Sequence, residues 1–202
     1  MKINYDLKLK ELISNLTEKK KLLLHSCCGP CSSYVLDYLS NYFDITILYY
    51  NPNIYPENEY DKRLNEQIKL INLLNNKSIK LLTVPYNEEE FLNEIKGFET
   101  EEEGKQRCHL CYKFRLEKTA NYAKENTYDF FATTLSVSPY KNSTVLNEIG
   151  IELEKKYNVP YLYSDFKKND GYKKSIELSK KYDLYRQEYC GCRFSLEKFT
   201  NH

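Results

Sequence analysis

Apolar and polar positions along the chain follow two different periods, and their alternation predicts strands separated by helices. Short apolar runs, such as Ile45–Tyr50, have the length of buried strands. Between these runs, apolar residues recur at every third or fourth position, as in Tyr60, Leu64 and Ile68, which places them on one face of a helix. The predicted strands are Lys21–Ser26, Ile45–Tyr50, Ile79–Val84, Tyr128–Thr134 and Val159–Tyr163.

The order of these elements predicts the fold class. Strands that alternate with helices form a parallel sheet with helices on both faces. We therefore predict an α/β fold of the Rossmann-like (HUP) type, with five parallel strands in the order 3-2-1-4-5 and a switch point beside the first strand. The chain, 1–202, is predicted to be a single domain, with an amino-terminal helix at 5–21 and a cysteine-bearing segment at 185–202. The other predicted helices span 32–40, 57–74, 87–95, 111–125, 173–182 and, after a turn at 136–141, a stretch that ends near 157.

Composition and charge narrow the class of protein. Of the 202 residues, 41% are hydrophobic and 29% are charged, and no apolar run approaches the roughly 20 residues that cross a membrane. Met1–Lys21 lacks the apolar centre of a secretory signal. We therefore expect a cytoplasmic protein with no membrane partner. The net charge of +1 gives no overall basic footprint, so a tRNA partner would require a local patch.

Seven cysteines change this picture, because they fall into three tight groups. The cytosol keeps thiols reduced, so a framework of structural disulfides is not expected there. Grouped thiols in a cytosolic protein are typical of metal binding or redox chemistry. The groups are Cys27, Cys28 and Cys31; Cys108 and Cys111; and Cys190 and Cys192.

The first group follows a buried strand and opens a helix. In open α/β sheets this position, at the carboxyl end of a strand, is where functional sites are built. Residues on the loops after the fourth and fifth strands are expected to face it, while His25 is interpreted as a packed histidine rather than a ligand. The facing residues are Thr133, Thr134, Ser136 and Asp165.

The spacing of the first two groups favours an iron–sulfur cluster. Adjacent cysteines rarely bind one zinc ion, whose ligands are usually separated by two to four residues, whereas a four-iron cluster offers four separate corners. We therefore predict that Cys27, Cys28, Cys108 and Cys111 bind a [4Fe–4S] cluster, with Cys108 delivered by the polar loop 97–105. Cys31 lies one turn beyond Cys28 and can replace either member of the first pair.

The third group, Cys190-Gly191-Cys192, has two interpretations. The glycine gives the backbone freedom to bring the two sulfurs together, and a strained bridge between them would be easily reduced, as a redox-cycling pair requires. Alternatively, the two thiols hold a second metal ion together with Cys31 or Asp165.

Six motifs, taken together, resemble those of a known family. They are His25–Cys31; Asn51–Ile54 with Glu59, Tyr60 and Arg63; Arg107, Cys108 and Cys111; Thr133–Lys141; Asp165–Lys168 with Gly171 and Tyr172; and Tyr185–Cys192.

In this order, from Leu22 to Ser195, the motifs resemble the QueH family of cobalamin-independent epoxyqueuosine reductases. The resemblance implies the last step of queuosine biosynthesis, a two-electron deoxygenation that converts the epoxide of epoxyqueuosine, at the wobble position of tRNA, into a cyclopentene. It implies a [4Fe–4S] cluster on the four cysteines named above, an additional iron beside it, and Cys190 and Cys192 as a redox-active pair. The electron donor is unidentified. Polar and aromatic residues of the motifs are the candidate substrate-binding residues: Asn53, Arg63, Thr133, Thr134, Ser136, Ser138, Lys141, Tyr172 and Arg186.

Two other classes of protein fit parts of the pattern. An iron–sulfur tRNA sulfur transferase on a related nucleotide-binding fold can carry cysteine pairs, but Ser26–Cys31 does not read as the Ser-Gly-Gly-x-Asp-Ser phosphate loop of such ATP users. A zinc or redox-sensing module is the other alternative, and it would bind zinc without visible absorption.

Overall fold

Four strands and eight helices make up the described part of the chain, residues 3–200 of a computed structural model. No helix in this part is long and apolar enough to cross a membrane. In chain order the elements are α1 (Tyr5–Ser14), β1 (Lys20–His25), α2 (Gly29–Leu39), β2 (Phe43–Tyr49), α3 (Glu57–Leu74), β3 (Ile79–Thr83), α4 (Glu88–Glu94), α5 (Gln106–Glu125), β4 (Phe130–Thr133), α6 (Ser143–Tyr157), α7 (Gly171–Lys181) and α8 (Arg193–Thr200).

The four strands form one parallel sheet in the order β3-β2-β1-β4. β1 lies in the middle, where Leu24 pairs with Ile47 on one side and with Ala132 on the other. A central parallel strand is buried on both faces, which explains why β1 is a continuous apolar run rather than an alternating one.

Helices cover both faces of the sheet, as the sequence predicts. Because side chains alternate across a strand, Leu22 and Leu24 contribute to one core, which includes residues of α1, α2 and α3. Leu23 points to the opposite core, where it joins residues of α5 and α6. Both layers of helices therefore pack against the same short strand, β1.

The predicted fifth strand is wrong, and the sheet has four strands rather than five. The segment at 159–163 meets β4 only at an isolated bridge between Tyr161 and Phe131. Pro160 has no N–H to donate to a ladder, and beyond the bridge the Ser164 N–H donates to the Asn147 side-chain oxygen instead, at 3.0 Å. The order of the first four strands, 3-2-1-4, is as predicted.

Several helix boundaries differ from the prediction. α1 ends at Ser14 rather than at Lys21, because β1 already begins at Lys20. α5 begins at Gln106, so Cys108 lies in its first turn and not on the preceding loop. By contrast, α6 agrees with the prediction: it follows the turn at 136–141, it ends at Tyr157, and the Asn142 side chain caps it by accepting a hydrogen bond from Thr144 N–H at 2.9 Å. A short 3-10 turn at Thr134–Val137 follows β4.

Candidate metal and redox site

The first cysteine group lies at the carboxyl end of β1, where the chain turns into α2. The sulfur atoms of Cys27, Cys28 and Cys31 all lie within 4.8 Å of one another. Gly29 permits this turn to lie against α3, since a Cβ atom there would be 2.8 Å from the Glu66 carbonyl oxygen. Three soft sulfur donors thus meet at one point, which is an arrangement that binds zinc or iron–sulfur clusters.

Hydrogen bonding among these thiols concentrates negative charge on one sulfur. Hydrogen bonding with Cys28 and Cys31 holds the pKa of the Cys27 thiol well below its usual value, with Lys141 and Arg115 acting in the same direction. The same hydrogen bonding with Cys27 raises the pKa of Cys28 to about 12. The turn therefore favours a thiolate, the form that binds metal, at Cys27.

His25 is a packed, neutral residue, as predicted. It is fully buried, its Nε2 atom lies 3.1 Å from the Tyr50 carbonyl oxygen, and its Nδ1 atom lies 3.0 Å from the Thr133 hydroxyl. Because a carbonyl only accepts, Nε2 carries the proton and Nδ1 accepts from Thr133. Burial lowers the pKa of His25 to about 3. Thr133 therefore orients this histidine and does not reach into a cavity.

The second group lies in the first turns of α5, where Cys108 and Cys111 are buried. The Cys108 sulfur accepts a hydrogen bond from Gly104 N–H at 3.2 Å. Burial raises the pKa of the Cys111 thiol to about 12. Cys108 belongs to the apolar cluster beside the sheet against which Cys27 also packs.

Arg115 is a buried cation beside these sulfurs. It is 2% exposed, and no carboxylate of residues 3–200 lies within ion-pair distance of it. Burial opposes its charge, but the thiols of Cys111, Cys27 and Cys190 around it raise the pKa of Arg115. A buried cation whose nearby acids are thiols fits a site that holds thiolates or an anionic cluster.

The third group is brought to the same place by the segment after α7. Cys190 is half-buried, and its sulfur accepts a hydrogen bond from Lys141 Nζ at 3.4 Å. Cys192 is buried and packs in one apolar cluster with Cys111. Both are free thiols in the structure. Cys190 thus lies beside Lys141, while Cys192 lies beside the second cysteine group.

Arg63 fixes the backbone of this segment. It is 1% exposed, and it pairs with Glu59 at 2.7 Å and donates to the carbonyl oxygens of Tyr189 and Cys190 at 3.3 and 3.1 Å. Gly191 adopts a left-handed φ of +130°, and a Cβ atom there would be 2.8 Å from the guanidinium. The glycine between the two cysteines is therefore required by the close approach of Arg63.

Gln187 connects the same segment to the first group. Its side-chain amide donates to the Cys28 sulfur at 3.1 Å and lies 4.0 Å from the Cys31 sulfur. Amide hydrogen bonds to ligating sulfurs tune the reduction potential of iron–sulfur clusters. The cysteine motifs alone do not identify Gln187 or Arg115 as neighbours of the thiols. For Arg115 the helical spacing could have done so, because it lies one turn after Cys111 on the same helix.

A cavity of about 730 Å³ lies between the first and third cysteine groups. Cys27, Cys31 and Cys190 contribute thiols to its wall. Four of the nine predicted substrate-binding residues also line it: Ser138, Lys141, Tyr172 and Arg186.

The other predicted substrate-binding residues lie outside the wall of this cavity, and all are at most 3% exposed. Among them, Arg63 and Thr133 hold neighbouring residues of the site in place. Asp165 does not line the cysteine cavity as expected, because it pairs with Lys167 at 2.9 Å and borders a second cavity. The buried residues are Asn53, Arg63, Thr133, Thr134 and Ser136.

The fold and site define a class of protein: an α/β protein with a parallel sheet whose edge gathers thiols for metal or redox chemistry. Comparison with known proteins identifies the family. The family model of the epoxyqueuosine reductase QueH matches residues 22–198, and the chain belongs to this family.

Proteins named epoxyqueuosine reductase QueH are similar to this chain over most of its length. The protein from Staphylococcus epidermidis is 45% identical over 98% of this chain and 86% of its own length. The protein from Streptococcus pyogenes is 41% identical over 96% of this chain and 78% of its own length, and that from Thermotoga maritima is 37% identical over 87% and 90%.

A solved structure shares the fold. The U34-tRNA thiolase NcsA from Methanococcus maripaludis, solved with its [4Fe–4S] cluster, is similar to this chain with a TM-score of 0.51 and 15% sequence identity. The similarity covers 95% of this chain and 67% of the thiolase. At this level of identity it supports the α/β fold and nothing further.

Proposed function

We propose that this protein reduces the epoxide of epoxyqueuosine in tRNA to the cyclopentene of queuosine. Membership of the QueH family defines the reaction, and one observation on the chain supports it: the first and third cysteine groups, distant in sequence, line one cavity beside the sheet edge, and the second group packs against the third. The protein acts as an oxidoreductase in the last step of queuosine biosynthesis.

The residues fit a [4Fe–4S] cluster held by Cys27, Cys28, Cys108 and Cys111. The four thiols come from two rigid elements, the β1–α2 turn and the first turns of α5. Arg115 supplies a buried positive charge that offsets the thiolates. When bound, such a cluster supplies single electrons at low potential.

Cys190 and Cys192 are proposed as the redox-active pair. Removing the epoxide oxygen breaks two C–O bonds, forms a C=C bond and consumes two electrons and two protons, and the oxygen leaves as water. Oxidation of one dithiol to a disulfide releases two electrons and two protons, so the two half-reactions balance. An external electron donor, still unidentified, then reduces the disulfide again.

The remaining cavity residues bind and orient the substrate in this proposal. The Lys141 ammonium lines the cavity beside Cys190 and donates a hydrogen bond to its sulfur. The guanidinium of Arg186 lies 5.8 Å from the Tyr172 ring centre, and both line the cavity. An aromatic ring and a planar cation suit an unstacked base.

We also propose that an additional iron ion is bound beside the cluster. Cys31 is its first candidate ligand, because this thiol lines the cavity and is not one of the four cluster ligands. Asp165, the alternative carboxylate, is paired with Lys167. We further propose that the chain acts as one domain in the cytoplasm.

The test is anaerobic reconstitution with iron and sulfide, followed by reaction with epoxyqueuosine-containing tRNA and a chemical reductant. Mass analysis of the tRNA nucleosides is expected to show the loss of one oxygen atom. The Cys28→Ser variant serves as the control, and it is expected to lack both the brown chromophore and the activity.

Three results would contradict the proposal. Bound zinc without visible absorption would indicate the zinc or redox-sensing module. A nucleoside that gains sulfur would indicate a sulfur transferase. A fully loaded cluster with no loss of oxygen would exclude the reductase reaction.

A further inference from the structure

A second cavity of about 770 Å³ adjoins the cysteine cavity, and the proposed reaction does not use it. The two cavities share Tyr140 and Lys141 as a common wall. The second cavity is also bordered by the start of α1, the start of α6 and the loop at 165–168, all at the carboxyl edge of the sheet.

Charge in the second cavity is positive. Three lysines and one carboxylate line it. Asp165 is paired with Lys167, and Lys141 donates to Cys190, so Lys168 is the exposed amine. No ion pair within residues 3–200 involves Lys168. The amino end of α6, a helix of 15 residues, adds the positive end of its dipole.

Tyr140 stands between the two cavities and is 80% exposed. Its ring stacks on no other aromatic ring of residues 3–200. An exposed aromatic ring beside a basic groove is the combination with which proteins bind single-stranded nucleic acid, since the ring stacks on a base and the groove follows the backbone.

We propose that the second cavity binds the phosphate of the nucleotide next to the modified one, and that Tyr140 stacks on the neighbouring base. This inference rests on the proposed function: a nucleotide inserted into the cysteine cavity stays joined to its neighbours, and the adjoining cavity is within their reach. Lys168 binds the phosphate, and the dipole of α6, whose first N–H groups are capped by Asn142, adds attraction. A chain with a net charge of +1 thus recognises RNA through a local basic patch.

The test is the affinity of the cluster-loaded protein for epoxyqueuosine-containing tRNA, measured at several salt concentrations without reductant, so that binding is separated from reaction. The variants are Lys168→Glu and Tyr140→Ala. Lys77→Glu makes the same charge change at an exposed lysine before β3, at the opposite edge of the sheet, and Tyr140→Phe preserves the stacking ring.

The two kinds of contact predict different signatures. Lys168→Glu is expected to weaken binding about tenfold near 0.1 M salt and to reduce the salt dependence of log K by about 0.7, the value for one phosphate of a single strand. Tyr140→Ala is expected to weaken binding about tenfold with an unchanged salt dependence. Lys77→Glu and Tyr140→Phe are expected to stay within about twofold of the parent protein.

Equal effects of Lys168→Glu and Lys77→Glu on tRNA binding would overturn the phosphate site. Unchanged tRNA binding by Lys168→Glu, combined with slower reduction by a protein electron donor, would also overturn it and would make this surface a docking site for that donor. Unchanged binding by Tyr140→Ala would overturn the stacking contact. Tyr140 and Lys168 are exposed, so melting curves of both variants should match the parent. If the parent binds tRNA with these signatures but removes no oxygen when reduced, the proposed function fails and the phosphate site stands.

Discussion

The two sides of the cysteine cavity are built in different ways. The β1–α2 turn continues a strand that is paired on both sides, so its thiols are placed by the main core. The opposite side, residues 185–192, contains no helix or strand, and it is held by side chains such as Arg63 and Gln187. We call this segment the redox strap.

The difference assigns separate tasks to the two sides. Ligands of a cluster need fixed positions, which the sheet edge provides. A dithiol that cycles to a disulfide needs freedom for its sulfurs to approach each other, and a segment held by a few polar contacts opens locally at lower free energy than a core strand. In the proposed function, the firmly held side would therefore carry the cluster and the less firmly held side would carry the dithiol.

The largest effect is expected when cysteines are removed from each side in turn. The double variant Cys190→Ser and Cys192→Ser should lose turnover completely and retain the brown chromophore, because the strap thiols donate electrons without holding the cluster. Cys28→Ser should lose both. Visible absorption and nucleoside mass analysis measure the two properties, and loss of the chromophore in the double variant would make the strap cysteines metal ligands instead.

A second test compares the stability of the two sides. Leu24→Ala is expected to lower the free energy of unfolding by about 3 kcal/mol, because it leaves a cavity beside β1. Arg63→Met is expected to cost a similar amount, since it breaks a buried ion pair with Glu59. Urea denaturation measures both changes.

Hydrogen exchange then separates the two variants. In Arg63→Met the amides of the strap should exchange at least about tenfold faster than in the parent, as loss of one hydrogen bond to a charged group predicts. In Leu24→Ala they should follow the exchange of β1. Unchanged exchange of the strap in Arg63→Met would show that other contacts hold it.

A smaller effect is expected at Gln187, where the strap contacts the sheet edge. Gln187→Met preserves the length of the side chain and removes the N–H that lies 3.1 Å from the Cys28 sulfur. The cluster potential should become about 60 mV more negative, a tenfold change in a one-electron equilibrium. A redox titration followed by electron paramagnetic resonance measures it, and an unchanged potential would exclude this contact in the loaded protein.

The smallest effect concerns Arg193, the first residue of α8, which directly follows the strap. Arg193 forms a bidentate ion pair with Glu88 on α4, with its Nε and Nη2 atoms 2.8 and 2.7 Å from the two carboxylate oxygens. The pair is partly exposed, so a double-mutant cycle with Arg193→Ala and Glu88→Ala should give a coupling free energy of about 1 kcal/mol or less. A much larger value would mean that this end of the strap is as firmly fixed as the sheet edge.

Local sequence patterns predicted much of the fold, because its strands contain short apolar runs and α3, a helix of 18 residues, has a clear period. α3 begins and ends where the periodicity of Tyr60, Leu64 and Ile68 indicates. The prediction failed where one residue decides pairing, as Pro160 does, and where a helix begins in a polar stretch, as α5 does at Gln106. Neither effect leaves a trace in the period of apolar positions.

By itself, the sequence determined the α/β class, the thiol groups and their place after β1, because hydrophobic periodicity and residue spacing are local properties that survive in a one-dimensional pattern. Only the tertiary structure decided that Arg63 supports the redox strap and does not line the cavity, that Gln187 reaches Cys28, and that Tyr140 stands between two cavities. These facts join residues far apart in the chain, and such contacts are decided when the whole core packs.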